Sequence, residues 1–144
     1  MKMIKALKVS ALVLLILGTT SCSKEYDNGE VIENSYTGNV NVTSGGSDPA
    51  GDFTGNGDSG TYSFAWQCNQ NKASLNFDIT TPTGSCQFIL EDADGTEVLN
   101  KTRSAGGNDS YSGVSSAGTP GIWTVKMILT DFNGDGSYSL HPGD

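Results

Sequence analysis

Short runs of alternating apolar and polar residues, separated by clusters of Gly, Asn, Asp and Pro, dominate the chain after residue 35. In "GTYSFAWQC" the even-numbered side chains, Tyr62 to Cys68, share one face and the odd-numbered ones, Ser63 to Gln67, share the other. An alternation of period two is typical of a half-buried β-strand, and no run in this region has the 3.6-residue period of a helix. The pattern predicts an all-β protein.

Eight candidate strands follow one another along the chain. Each is too narrow to bury its apolar face alone, so the sequence predicts an antiparallel two-sheet β-sandwich, jelly-roll-like, with its sheets packed face to face. By alternation Trp66 and Trp123 point inward and belong to its core. The runs are "SYTGNVNV", "GTYSFAWQC", "ASLNFDI", "CQFIL", "TEVLNKT", "SYSGV", "GIWTVKMIL" and "SYSL".

The N-terminus has the three-part layout of a secretory signal peptide. "MKMIKALK" carries three lysines, the apolar run "VSALVLLILG" follows, and small residues lead to Cys22. The apolar run is shorter than the ~20 residues that span a bilayer. A cysteine at this place resembles the bacterial lipoprotein signal, which implies cleavage after residue 21 and acylation of Cys22. The alternative is an ordinary signal peptide with a chance cysteine.

The segment after Cys22, "CSKEYD", resembles the short acidic export signal of Bacteroidetes lipoproteins, which implies the outer face of the outer membrane. Residues 22–35 have the composition of a flexible tether, and residues 36–144 are predicted to form one sandwich domain. From Cys22 onward five Lys and Arg stand against sixteen Asp and Glu, a net charge of −11. Nucleic acid is therefore a poor partner, because its binding depends on Lys and Arg that neutralise phosphates.

The stretch "TDFNGDGSYSL" contains D-x-N-x-D-G, the opening half of a calcium-binding loop. An EF-hand needs flanking helices and a bidentate Glu at its twelfth position, where this chain has Pro142. Asn133-Gly134 instead favours a two-residue β-hairpin turn, which would place Leu129 opposite Tyr138.

The tip of this predicted hairpin would carry three oxygen-bearing side chains, those of Asp131, Asn133 and Asp135. They would hold Ca²⁺ only with further oxygens from a neighbouring loop, such as the acidic segment 43–60. The alternative is a set of solvated turn residues, because Asp and Asn favour turns for their backbone hydrogen bonds.

Cys68 and Cys86 remain once Cys22 is acylated. Both lie on inward faces of a protein predicted to enter an oxidising compartment, so we expect a disulfide between them, worth ~3 kcal/mol in the chain-entropy estimate. Two buried free thiols are the alternative. The chain has one histidine, His141, and none of the common catalytic motifs, so we expect no enzyme.

From Gly60 to Leu140 the order of "GTYSF", "GTPGIWTVKMIL" and "GDGSYSL" resembles the prepeptidase C-terminal domain. The resemblance implies a small β-sandwich that acts as a non-catalytic accessory module, sometimes binding polysaccharide or protein. We therefore expect a lipid-anchored, non-catalytic binding or structural surface module, with polysaccharide as a candidate ligand. The alternative is a small accessory subunit of a larger outer-membrane protein complex. The aromatic residues expected in or near loops, and thus available for contact with a ligand, are Phe53, Tyr111 and Phe132.

Overall fold

The computed structural model describes residues 25–43, 47–106 and 109–143. The strands in these ranges are β1 (Val31–Asn34), β2 (Asn39–Thr43), β3 (Ala50–Cys68), β4 (Ala73–Glu91), β5 (Glu97–Ser104), β6 (Ser110–Val114) and β7 (Gly121–Pro142). Nowhere in those ranges is there a helix long and apolar enough to cross a membrane. The predicted signal peptide and the acylation of Cys22 lie outside the described residues.

The three long strands β3, β4 and β7 each take part in two antiparallel sheets. Their halves at residues 50–56, 73–80 and 135–142 form the first sheet, in the order β2-β3-β7-β4-β6. Residues 60–68, 85–91 and 121–130 form the second sheet, in the order β1-β3-β7-β4-β5. Every long strand therefore crosses from one sheet to the other.

The aromatic core shows that the two sheets face each other. The ring of Phe88, in the second sheet, lies 6.2 Å from Phe53, 4.7 Å from Phe77 and 5.4 Å from Tyr138, all three in the first sheet. All four side chains are buried. The prediction of an all-β, antiparallel two-sheet sandwich is confirmed.

The two tryptophans are core residues, as predicted. Trp66 and Trp123 are 1% and 0% exposed, and their rings meet edge to face at 6.0 Å. Each indole N–H donates to a backbone carbonyl, that of Ser47 at 2.9 Å and that of Thr119 at 2.8 Å. The polar end of each buried indole is therefore satisfied, as burial requires.

The long strands bend where they pass between sheets. The pairing of β3 with β7 shifts between Asn56 and Gly60, and that of β4 with β7 shifts between Thr80 and Ser85. Gly84, at φ 91°, lies so close to the backbone carbonyl of Asp131 that a Cβ atom would clash with it. Only glycine fits this bend, because it combines a positive φ with a close backbone approach.

The hairpin predicted at Asn133-Gly134 is wrong. β7 continues through both residues, and Asn133 pairs with Asn56 on one side and Thr83 on the other. "GIWTVKMIL" and "SYSL" are thus two halves of one strand. Gly134 has the positive φ, 149°, that glycine also supplies in turns, but here it serves a bend between the two sheets.

The predicted tether boundary at residue 35 is also wrong. β1 lies inside the tether segment and pairs antiparallel with β3, Val31 opposite Phe64 and Asn34 opposite Tyr62. The amide of Gly29 also donates to the carbonyl of Ala65 at 2.7 Å. Backbone pairing with β3 therefore joins part of this segment to the fold.

The predicted disulfide is wrong, because both cysteines are free and buried. Cys68 lies opposite Gly121 on β7, whereas Cys86 lies opposite Leu129. Eight residues of strand separate these two positions, roughly 26 Å at ~3.3 Å per residue. A disulfide requires Cα atoms less than about 7 Å apart.

Candidate polar groove

The outward surface of the first sheet is covered with small hydrogen-bonding side chains. These polar residues alternate along the strands with the buried Phe53, Phe77 and Tyr138. The polar side chains therefore point to solvent, on the side of the sheet opposite to the core. We call this surface the polar face. Its three rows across the strands are Asn41, Asp52, Ser137, Asp78 and Ser110; then Thr54, Asp135 and Thr80; and then Ser139, Asn76 and Ser112.

Two open depressions lie on the polar face. One, of about 400 Å³, extends from Asp52 and Thr54 across to Thr80. The other, of about 360 Å³, extends toward Tyr111 on β6. Asp78 and Ser137 line both, so the depressions form one continuous feature, the polar groove. From β3 to β6 the groove crosses three strand spacings, or about 14 Å.

Nine polar side chains of the groove have no side-chain partner among the described residues. Their backbone groups pair within the sheet, but among the described residues these side chains form no hydrogen bond or ion pair. They therefore offer hydroxyl donors, amide groups and carboxylate acceptors directly to solvent or to a ligand. They are Asp52, Thr54, Asn76, Asp78, Thr80, Ser112, Asp135, Ser137 and Ser139.

Acidic residues elsewhere in the fold are used differently. Asp92 accepts from the amides of Thr119 and Thr96 at 2.8 Å each and from that of Asp94 at 3.0 Å. These hydrogen bonds, that of Thr119 foremost, hold the pKa of Asp92 below its usual value. Asp92 is thus a structural carboxylate that organises the β4–β5 turn, whereas the carboxylates of the groove remain available.

The three residues predicted to hold calcium lie along the continuous strand β7 and not at a hairpin tip. Asp131 lies in the bend of β7, where its amide donates to the hydroxyl of Ser59 at 2.8 Å. Asn133 is paired between Asn56 and Thr83, and Asp135 lies farther along on the polar face. Within the described ranges no group of three His, Cys, Asp or Glu side chains is placed to hold a metal ion. The residues do not fit the predicted hairpin-tip site.

Of the three aromatic residues predicted to contact a ligand, two are core residues. Phe53 and Phe132 are 0% exposed, and their rings lie 5.3 Å apart. The glycine-rich segments that contain them resemble loops but pair as strands. Tyr111 is half-buried on β6 and packs against Phe77 at 5.6 Å on the inner side of the first sheet, beside the end of the polar groove.

Sequence reasoning did not find the groove, although part of its signal was present. The alternation in "ASLNFDI" already turned Asn76 and Asp78 outward. Their alignment with Ser137 and Asp52, however, depends on the register of strands far apart in the chain.

No protein-family profile matches the sequence, and no curated protein matches it. Several solved structures align with much of the chain at low similarity. TmCBM61, in complex with β-1,4-galactotriose, is 14% identical over 75% of this chain and 87% of that one, with a TM-score of 0.49. CsCBM6-3 from Clostridium stercorarium, in complex with cellobiose, is 16% identical over 83% and 88%, with a TM-score of 0.39.

An arabinose-bound α-L-arabinofuranosidase is 15% identical over 78% of this chain but only 23% of that one, with a TM-score of 0.43. Similarities of this size transfer neither a ligand nor an activity to this chain. A function for this β-sandwich has to be argued from the polar groove itself.

Proposed function

We propose that the protein is a non-catalytic module that binds a glycan in the polar groove. The observation that carries the proposal is the set of unpartnered hydroxyl, amide and carboxylate groups arranged in rows across the first sheet. Sugar hydroxyls both donate and accept hydrogen bonds. Ser and Thr can do both in return, while carboxylates such as Asp78 accept, so the groove matches a polyhydroxylated ligand.

The groove is open, which favours binding over hydrolysis. Glycosidases use a pair of carboxyl groups, one of which is kept protonated by enclosed, apolar surroundings. Asp52 and Asp78 flank Ser137 on an exposed surface without such an enclosure. His141 is half-exposed at the end of β7, 3.5 Å from Asp48, and outside the groove.

A glycan array followed by titration calorimetry on the best ligand tests the proposal. Asp78→Ala should weaken binding about tenfold, because hydrogen bonds to a charged group are worth about 1.5–3 kcal/mol. Asp27→Ala is the matched control, since it removes the same group at an exposed position outside the groove. Because no side chain depends on Asp78, the melting temperature should not change. An array without any bound glycan, or equal losses in the two variants, would overturn the proposal.

We also propose that Cys22 is acylated and that the module is held at the outer face of the outer membrane. The signal-like N-terminus supports this. β1 begins nine residues after Cys22, so at most about 32 Å of chain connects the anchor to the sheet. Metabolic palmitate labelling should label the wild type and not Cys22→Ser; equal labelling of both would contradict acylation at this residue.

A further inference from the structure

Two basic side chains meet the ring of Tyr111 at the end of the polar groove. The Nζ of Lys101 lies 5.8 Å from the ring centroid, and the guanidinium carbon of Arg103 lies 5.3 Å from it. Both belong to β5, at the edge of the second sheet, whereas Tyr111 belongs to β6, at the edge of the first. The pair therefore bridges the flank of the sandwich.

This concentration of positive charge is unusual for so acidic a chain. From Cys22 onward the sequence has five basic residues, and two of them converge on one ring. Neither Lys101 nor Arg103 forms an ion pair with a described residue, whereas Lys126 reaches Glu91 at 3.3 Å. Two like charges two positions apart on one strand repel each other, and an anion between them would relieve that repulsion.

The guanidinium of Arg103 is held in place. Its Nε donates to the backbone carbonyl of Ser110 at 2.9 Å, and Nη1 donates to that of Thr102 at 2.9 Å. Its Nη2 has no partner among the described residues. A fixed guanidinium with one free edge is suited to a carboxylate, because less rotamer entropy is lost when the new hydrogen bonds form.

A second groove, of about 330 Å³, lies beside this pair between β5 and β6, and Lys101 and Tyr111 both line it. Tyr111 also lines the polar groove. Tyr111 is thus the residue that both grooves share, although its ring lies with Phe77 on the inner side of the first sheet. The second groove carries Lys101 and, farther along, Glu97. A ligand that leaves the polar groove over the edge strand β6 reaches Lys101 and Arg103 on the flank.

Packing alone accounts for only part of this arrangement. The aliphatic stems of Lys101 and Arg103 can cover the flank of the stack formed by Phe88, Phe77 and Tyr111. The attraction of a cation to an aromatic face accounts for their place over Tyr111. Neither contact supplies a counter-ion, so both charges remain without an ion-pair partner among the described residues.

We propose that Lys101 and Arg103 form a subsite for the carboxylate of an acidic glycan, whose neutral hydroxyls extend over the edge of β6 into the polar groove. This inference rests on the proposed function and narrows it to glycans that contain a uronic acid. The groove carboxylates Asp52, Asp78 and Asp135 repel an anion. The acidic sugar is therefore directed to the Tyr111 end, which gives the ligand a defined direction.

Calorimetry with a trimer of galacturonic acid and with its methyl ester tests the subsite, because the ester has nearly the same shape without the charge. We expect the acid to bind the wild type about tenfold more tightly than the ester. In the double variant Lys101→Gln, Arg103→Gln this preference should disappear, while the affinity for the ester stays the same. Lys126→Gln, which removes one positive charge from the second sheet away from Tyr111, should keep the preference.

Two other outcomes distinguish failure of the subsite from failure of the proposed function. Equal binding of acid and ester to the wild type, with both lost in Asp78→Ala, overturns the subsite and leaves the proposed function standing. Binding of the acid that needs Lys101 and Arg103 but not Asp78 supports the subsite and overturns the polar groove.

Two further results overturn the subsite: no binding of the trimer, or binding of anionic phospholipid vesicles that the trimer does not displace. If the double variant melts early, Lys101→Met replaces it, because methionine keeps an apolar stem over Tyr111. The preference for the acid should then fall without a change in melting temperature, and an unchanged preference would overturn the subsite.

Discussion

Phe88→Ala should be among the most destabilising single substitutions in this protein. The side chain is 0% exposed and contacts aromatic rings on three segments of the opposite sheet, those of Phe53, Phe77 and Tyr138. Truncating a buried phenylalanine costs about 3–5 kcal/mol. Each aromatic pair adds about 0.5–1.5 kcal/mol beyond area burial. We therefore expect Phe88→Ala to lower the free energy of unfolding by about 4–5 kcal/mol, the upper end of the range for a buried phenylalanine. This is a large share of the ~5–15 kcal/mol that stabilises a typical domain.

Urea unfolding followed by the fluorescence of Trp66 and Trp123 measures this loss. The urea concentration at the midpoint of unfolding should fall. The dependence of the free energy of unfolding on urea should change little, because the surface exposed on unfolding is nearly the same. Val114→Ala is the control, since Val114 is 45% exposed and its truncation should change the free energy of unfolding by less than about 0.5 kcal/mol. If Phe88→Ala is unfolded without urea, Phe88→Leu provides the measurable case. A loss below about 1 kcal/mol for Phe88→Ala would refute the packing of the two sheets described above.

Three further predictions follow from the other sites. The pKa of Asp92 is lower in the folded state than the unfolded value of 3.8. Its contribution to stability is therefore complete above pH 3.8 and is lost as the pH falls through the lower folded pKa. Asp92→Asn should make the melting temperature less sensitive to acid, and an unchanged pH profile would contradict this. Cys68 and Cys86 should be alkylated only after denaturation and without prior reduction, as mass mapping of their peptides would show; a bonded peptide pair would contradict the described register. Calcium and chelator should give the same melting temperature, since no three His, Cys, Asp or Glu side chains of the described residues are placed to hold a metal ion; a shift abolished by Asp135→Ala would contradict this.

The period-two pattern of residues 60–140 was sufficient to predict the strand class, the sandwich and the inward direction of Trp66 and Trp123. These properties are local, because the side-chain alternation of a strand depends only on its own residues. The burial of an apolar face then requires a second layer, whichever strands provide it.

The positions of the cysteines, of Phe53 and Phe132, and of the groove carboxylates depended on the tertiary structure. A glycine such as Gly134 can end a strand in a turn or bend it into the next sheet, and the local sequence is compatible with both. Which one occurs depends on whether distant strands continue to pair beyond the glycine. That pairing made β7 one continuous strand, separated Cys68 from Cys86, and placed Asp52, Ser137 and Asp78 side by side, although they are far apart in the sequence.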